Sequence, residues 1–288
     1  MRKESTGNSS TIAILLATYN GEKYLSDQID SLLVQSYQDW HLYVHDDGST
    51  DHTVEMIQAY IQQHPEKITL LDYPSQGGAC RNFLSMLKHV EASYYMFCDQ
   101  DDVWLSEKIA QSMAVMQEQE SQQPKRPVVV CTDLFITDEQ LAVTEKSMFA
   151  YLSVYPEYIR NFNDSGASAV VTGCTMLFNQ KAKESCLDYQ PAVIMHDCWL
   201  CHCALRQQGV LYAIRQPLVY YRQHDHNSLG AGVKSSAINL RYRIRHFKEL
   251  YQYNISYYHM LSVLGYGSLL KYVRAKLLYR HRIKRGYY

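Results

Sequence analysis

The chain has 288 residues, 47% of them hydrophobic and 20% charged, with a net charge of −1. That is enough chain to bury a substantial core, and the composition is that of an ordinary soluble protein without low-complexity tracts. No apolar run approaches the ~20 residues of a membrane-spanning helix, and the polar opening MRKESTGNSS lacks the apolar core of a secretory signal, so a cytoplasmic protein is expected.

Residues 12–17, IAILLA, form an apolar run that ends in the turn-like TYNGE, and Leu25, Ile29, Leu32 and Leu33 then fall on one helix face. HLYVHDDGSTD carries a short strand into DDGS, after which Val54, Ile57 and Ile61 recur at helical spacing. ITLLD (68–72) reads as a third strand. It leads through Gly77-Gly78 into a helix bearing Phe83, Leu84, Leu87 and Val90. YYMFCD (94–99) is a fourth strand, running into DQDDVW, and a helix is expected over about 104–117. Such alternation predicts an α/β fold, a mostly parallel sheet covered by helices on both faces and built from right-handed crossovers. Ligands of open sheets of this type sit beyond the carboxyl ends of the strands. TYNGE, DDGS and DQDD all fall there.

The second half is less regular. VVVCTD (128–133) and VVTGCTMLFN (170–179) read as strands, separated by a long polar excursion over 138–168. HDCWLCHCALRQQG (196–209) reads as a helix ended by Gly209, and 210–224 as extended chain broken at Pro217. Helices are expected over 237–260 and 268–284. Residues 234–288 hold twelve Lys or Arg and one acid, Glu249, whereas the preceding body is acidic. The eight cysteines read as free thiols rather than a disulfide framework.

Asp99 and Asp101 stand two apart, so on an extended strand their carboxylates point the same way. Two unit charges about 4 Å apart repel by roughly 4 kcal/mol at an effective dielectric near 20. Three carboxylates in four positions therefore call for solvent, protonation or a cation. The Asp99–Asp101 pair suits one hard divalent ion, Mg2+ or Mn2+, which keeps waters and takes the rest of its shell from substrate phosphates. Neither GxGxxG nor GxxxxGK[ST] occurs, so no glycine loop of those kinds cradles a phosphate. Asp46 and Asp47 add carboxylates at the same edge, suited to ribose hydroxyls or a base N–H, or to closing their own turn.

In order along the chain, ILLATYNGEKYLSDQIDSLLVQSY, VHDDGSTDHT, GACRNF, FCDQDDVWL, VTGCTMLFN, HDCWL and YRQH resemble the nucleotide-sugar-dependent glycosyltransferases of family 2, which have the type-A glycosyltransferase fold. The wording DQDDVW and TGCTMLFN is most similar to the bacterial rhamnosyltransferase-like branch that builds polysaccharide and O-antigen repeats. The resemblance covers about 11–226, with a nucleotide-sugar half to about 125 and an acceptor half beyond it, and leaves 227–288 as a basic helical extension. It implies a metal-dependent, inverting transfer of a sugar from a nucleotide-diphosphate donor, TDP-rhamnose or a UDP-hexose, to a hydroxyl of a glycan or lipid-linked glycan.

The same resemblance implies roles by position. Ala17, Thr18 and Tyr19 match the nucleoside-contacting segment, Asp46 or Asp47 the base-binding aspartate, and Arg81 the base- or phosphate-side arginine. Asp99, Gln100 and Asp101 match the DxD motif, with ribose and metal as targets of the two aspartates; Asp102 extends the metal set. His224 matches a position that reaches the metal or the diphosphate, and Gly173, Cys174 and Trp199 lie on the acceptor side. Asp197 matches the catalytic base, although its local pattern alone favours a helix N-cap. The residue types suit the chemistry. A cation stabilises the leaving diphosphate as a Lewis acid, a carboxylate takes the acceptor proton, and one base acting in line inverts the anomeric centre.

Other readings are weaker. Residues 99–103, D-x-D-x-V after an apolar strand, also resemble the first motif of haloacid-dehalogenase-like phosphatases, with Asp99 as nucleophile; that motif opens the first strand of its fold, whereas three strand–helix units precede this one. A non-catalytic glycan- or membrane-binding protein would not need Asp99, Asp101, Arg81 and Asp197 together. His196, Cys198, Cys201, His202 and Cys203 suggest zinc but lack a properly spaced second ligand pair. The basic C-terminal arm suits an anionic membrane face at the inner side of the cell membrane, or a homodimer contact. No nucleic-acid reader motif accompanies it.

Overall fold

The first apolar run becomes strand β1 (Ile12–Thr18), buried along nearly its whole length. A computed structural model describes residues 12–167, 171–189, 191–225 and 245–285. Strand β2 (Trp40–Asp46) runs parallel beside β1, β3 (Ile68–Leu70) parallel outside β2, and β4 (Tyr94–Asp99) parallel on the other side of β1. Between them lie α1 (Leu25–Leu33), α2 (Thr53–Gln63) and α3 (Ala79–His89), and α4 (Lys108–Gln122) follows. The two-residue alternation of a strand divides the core in two. Ile12, Ile14 and Leu16 meet Leu25, Ile29, Ile109 and Met113 on one face, while Ala13 and Leu15 meet Phe83 and Leu87 on the other.

Beyond β4 the sheet mixes directions. Strand β5 (Val103–Trp104) is followed by β6 (Val128–Thr137), β7 (Val143–Glu145), α5 (Met148–Leu152), β8 (Met176–Asn179), α6 (Gln180–Cys186), α7 (His196–Arg206) and β9 (Val210–Arg222). Among the described residues the order is β3-β2-β1-β4-β8-β6-β9-β5, with β7 beside β6. Strand β8 is antiparallel to β4 and β6, β9 is parallel to β6, and β5 is antiparallel to β9. Two local expectations change. Trp104 does not open a helix, because Val103 and Trp104 pair with Tyr220 and Val219; the helix starts at Lys108. Pro217 does not break the extended chain either. The β6–β9 register jumps from Ile214 to Pro217, an irregularity that admits a residue with no N–H to give the ladder.

The C-terminal helices are α8 (Phe247–Val263) and α9 (Leu269–Arg285). The 237–244 part of the first expected helix lies outside the described residues, as does His226. Tyr257, Met260, Leu261 and Tyr266 are buried in the same apolar cluster as Phe83, Trp199 and Leu200. The basic arm is thus packed on residues 163–202 of the second half through tyrosines whose hydroxyls find partners: Tyr266 donates to Asn163 O at 2.8 Å, and Tyr257 pairs with His202 Nε2 at 2.7 Å. No helix among the described residues is long and apolar enough to cross a membrane.

This packing has two measurable consequences. Met260→Ala should lower the unfolding free energy by about 2–5 kcal/mol, the range for emptying a buried site, whereas a loosely attached helix would show almost no change in a denaturant titration. Burial also holds the His202 imidazole down at about 3, against an ordinary 6.5. Between those values the unfolded chain carries a proton that the folded chain refuses, so stability is full above about 6.5 and falls as pH drops toward 3. Replacing it, as in His202→Gln, should flatten that acid limb relative to the parent protein.

Candidate active site

The carboxyl ends of β2, β1 and β4 bring Asp46, Thr18, Ala17 and Asp99 to one edge, with Thr18 opposite Asp46 and Ala17 opposite Asp99 in register. The two DDGS aspartates are not equivalent there. Asp46 accepts from Thr18 Oγ1 (2.9 Å), Gly48 N (3.0 Å), Ser49 N (2.7 Å) and Ser49 Oγ (2.5 Å). A carboxylate offers about four lone-pair sites, so these four bonds commit Asp46 largely to its own turn. Asp47 Oδ1 accepts from Ser75 Oγ, Gln76 N and Gly77 N, but Oδ2 accepts only from Gly78 N among the described residues. Positive φ at Gly77 (74°) and Gly78 (125°) lets those N–H groups converge on it. Burial works to raise the Asp47 carboxyl, but the N–H groups of Gly78 and Gln76 outweigh it and hold the group below its usual range. Of the pair, Asp47 retains an acceptor site.

The acidic loop is held from both sides. Gln100 accepts from Tyr19 N at 2.9 Å and donates to Tyr19 O at 3.0 Å, clasping the TYNGE loop to the DxD turn. Both polar ends of its amide are thereby engaged in holding the two loops together. The Tyr19 ring itself is exposed. On the other side Arg222, 4% exposed, donates to Asp101 O (2.9 Å), Glu139 O (2.8 Å) and Asp27 Oδ2 (2.7 Å) and packs its guanidinium on Tyr24. Two residues on, His224 Nε2 meets Asp101 Oδ2 at 2.8 Å. Sequence reasoning passed over Arg222, although it lies in YRQH two places before His224; its partners come from three distant segments that no local pattern links.

Asp102 lies buried rather than on the open face of the turn. Both Asp102 and Cys174 are 0% exposed, packed together behind the turn, with Asp102 Oδ1 accepting from Arg222 N at 3.3 Å. Burial, then the charges of Asp101 and Asp99, push the Asp102 carboxyl well above its usual range. One of the three crowded carboxylates is thereby removed from the open face. Asp99 is lifted to about 7 by burial and then by the charges of Asp101 and Asp197. Lys108 is buried behind the same turn, its Nζ 3.3 Å from the Trp104 ring centroid.

Asp197 lies in the first turn of α7, after Met195 as the cap, so it is not the N-cap. Its Oδ2 accepts from Gly173 N (3.1 Å) and its Oδ1 from Cys198 N (2.6 Å). A Cβ at Gly173 would stand 2.8 Å from His196 Nε2, which explains the glycine beside the aspartate. Arg81, exposed in the first turn of α3, makes no hydrogen bond with the described residues. Of Gly173, Cys174 and Trp199, only Gly173 touches Asp197 directly through its N–H. Trp199 is 1% exposed with Nε1 donating to Cys186 O at 3.0 Å, a core residue that anchors α7, and Cys174 faces Asp102.

Residues 13–187 match the model of glycosyl transferase family 2. The chain belongs to that family. A family 2 relative, the dTDP-rhamnosyl transferase RfbG of Shigella flexneri, is 26% identical over 77% of this chain and 76% of its own. WfgD of Escherichia coli, a UDP-Glc:alpha-D-GlcNAc-diphosphoundecaprenol beta-1,3-glucosyltransferase, is 30% identical over 36% of this chain and 40% of its own. Among solved structures, TarS 1–349 of S. aureus in complex with UDP-GlcNAc superposes with a TM-score of 0.55 at 18% identity, covering 79% of this chain and 61% of that one. The mannosyltransferase PcManGT of Pyrobaculum calidifontis, in complex with GDP-Man and Mn2+, gives 0.55 at 16% identity over 96% and 70%. The fold is the type-A glycosyltransferase fold, and the protein is a nucleotide-sugar-dependent glycosyltransferase; the phosphatase and non-catalytic readings fall.

For this family 2 enzyme, two donor sets can be weighed for a cation. Donor atoms of Asp99, Asp102 and Cys174 lie within 4.8 Å of one another. A thiol is a soft ligand, however, and two of these three groups have no accessible surface on which substrate phosphate could complete a shell. Asp99, Asp101 and His224 supply carboxylate and imidazole donors, types that suit Mn2+ or Mg2+ better; Asp101 and His224 meet at 2.8 Å, but the ligand atoms of all three do not gather within 4.8 Å as those of the first set do. The cysteines of α7 form no disulfide, His202 is paired with Tyr257, and among the described residues the His and Cys side chains of α7 do not gather into a metal-holding group. Lysine at position 222 keeps the charge but not the fork of donors. Arg222→Lys should cost about 1–3 kcal/mol in a thermal or denaturant unfolding measurement, as expected when buried acceptors lose their donor, and should slow sugar transfer.

Proposed function

We propose that the enzyme moves a sugar, with inversion, from a nucleotide diphosphate to a hydroxyl of a glycan or lipid-linked glycan, with Asp197 as base and Asp99, Asp101 and His224 as ligands of Mn2+ or Mg2+. The observation that carries this reading is the Asp101–His224 pair at 2.8 Å, beside Asp99 at the carboxyl edge of the sheet. Asp197 lies near enough for its charge to act on Asp99. When bound, the cation supplies Lewis-acid stabilisation of the leaving diphosphate.

The chain's own residues do the rest. The exposed Tyr19 ring offers a face to the base, Asp47 its open acceptor site to a base or ribose donor, and Arg81 its unpaired fork to phosphate oxygens. Asp197, fixed by the Gly173 and Cys198 N–H groups, takes the acceptor proton while the hydroxyl oxygen attacks the anomeric carbon from the face opposite the diphosphate. A single base acting in line gives inversion. TDP-rhamnose is the preferred donor, supported by RfbG, which matches over most of both chains. A UDP-hexose is the second reading, supported by WfgD and by the UDP-GlcNAc complex of TarS.

The test is nucleotide-diphosphate release from a panel of donors with Mn2+ or Mg2+ and candidate acceptors, alongside calorimetric donor binding. Donor binding should strengthen with the cation, and TDP-rhamnose should turn over fastest. Asp197→Asn should keep donor affinity and lose transfer by about 10²–10⁴-fold, the usual worth of a general base. Unchanged transfer in that variant would remove Asp197 as the base, and donor binding indifferent to Mn2+ and Mg2+ would remove the cation.

A further inference from the structure

Helix α9 has two apolar faces, and only one is covered. Tyr272 and Tyr279 are buried against the acceptor half, and Lys276 lies over the rings of Tyr257 and Tyr272. On the opposite side Leu270, Val273 and Leu277 succeed one another at intervals of three and four, with Leu269 and Leu278 flanking them. All five are exposed, Leu270 at 78% and Leu277 at 61%. A globular helix normally turns one such stripe inward. Here the inward stripe is already made of tyrosines, so the leucines form a second, unpartnered one.

The charge around that stripe is of one sign. Helix α9 carries seven Lys or Arg and no acid. Arg274 and Arg280 are exposed and make no ion pair with the described residues. Arg274 also lines a cavity of about 200 Å³ between α9 and residues 158–167, together with Lys271 and Arg282. Lys271 is tied to Tyr266 O at 2.8 Å, and Arg282 approaches Tyr158 O at 3.3 Å and Asp164 Oδ1 at 3.4 Å. Of those three cations, Arg274 makes no hydrogen bond or ion pair with the described residues, although Asp164 lines the same cavity.

We propose that this outward face of α9 docks on the anionic surface of a lipid bilayer. Leu270, Val273 and Leu277 enter the boundary between headgroups and acyl chains, and Arg274 and Arg280 meet lipid phosphates. Three alternatives fit the surface less well. A symmetric contact with a second copy would press one basic face on another. Nucleic acid would match the charge and leave the leucines in water. An ordinary solvated helix would not hold five large apolar groups on the side that also carries its free arginines. The proposal is independent of the donor, the cation and the base.

The test is co-sedimentation of the full chain with vesicles of phosphatidylcholine alone or with phosphatidylglycerol added, at low and high salt. Binding is expected only to the anionic vesicles and should weaken with salt. The double variant Leu270→Ser, Leu277→Ser should lower the partition coefficient by at least about tenfold, and Arg274→Gln with Arg280→Gln should lower it roughly fivefold for each charge removed. These positions are exposed, so unfolding midpoints and donor binding in solution should not move, which separates a failure here from a failure of the catalytic reading. Equal binding to neutral vesicles, or no change in either variant, overturns the proposal. So does a concentration-dependent dimer in sedimentation velocity that the leucine variant abolishes.

Discussion

One buried guanidinium fixes the geometry on which the cleft depends. Arg222 ties the carbonyl of Asp101, the carbonyl of Glu139 and the carboxylate of Asp27 to the last residue of β9. These groups come from four separate parts of the chain. A charge taken out of water without partners costs on the order of several kcal/mol, so the arginine is tolerable only because each arm of its fork is engaged. The same requirement works in reverse on the loop. With its carbonyl held by Arg222 and Gln100 clasping Tyr19 on the other side, the turn has little freedom to collapse, and Asp101 is delivered to His224.

The first half of the fold was legible because each parallel strand is buried on both faces and followed at once by its crossover helix. Alternation in IAILLA and the helical spacing of Leu25, Ile29 and Leu32 have one physical solution between them. The second half was harder because its strands are settled by distant partners. Trp104 sits before a pattern that reads as helix, but pairing with Val219 places it in the sheet. Pro217 is a strand breaker by propensity, and only the altered β6–β9 register makes room for it. The C-terminal helices read as a basic extension beyond the sheet because tyrosine is ambiguous in a sequence. Four tyrosines there are buried, which net charge conceals.

At the site, the sequence located the edge but could not apportion the carboxylates. Asp46 and Asp47 are neighbours of identical chemistry, and what separates them is that Asp46 closes its own turn while Asp47 holds the distant 75–78 loop and keeps one oxygen less occupied. In FCDQDD the same difficulty recurs. Asp102 faces Cys174, more than seventy residues away, and leaves the open side to Asp99 and Asp101. Spacing reports which groups share a side of a strand. It does not report which hydrogen bonds they have already made.

The distribution of charge that results is uneven in a consequential way. The charges of Asp101 and Asp197 both act on Asp99, while two buried cations of this region are turned elsewhere: Arg222 toward carbonyls and Asp27, Lys108 behind the turn against Trp104. A bare nucleotide diphosphate approaching that edge would meet like charge, at roughly 4 kcal/mol for each unit pair about 4 Å apart and an effective dielectric near 20. Arg81, exposed in the first turn of α3, offsets only part of this. The proposed cation therefore answers a problem set by the protein's own residues as well as by the leaving group. Donor and cation arriving together would convert mutual repulsion among the aspartates into attraction toward one centre, and the clamp by Arg222 would keep Asp101 from escaping that crowding before they arrive.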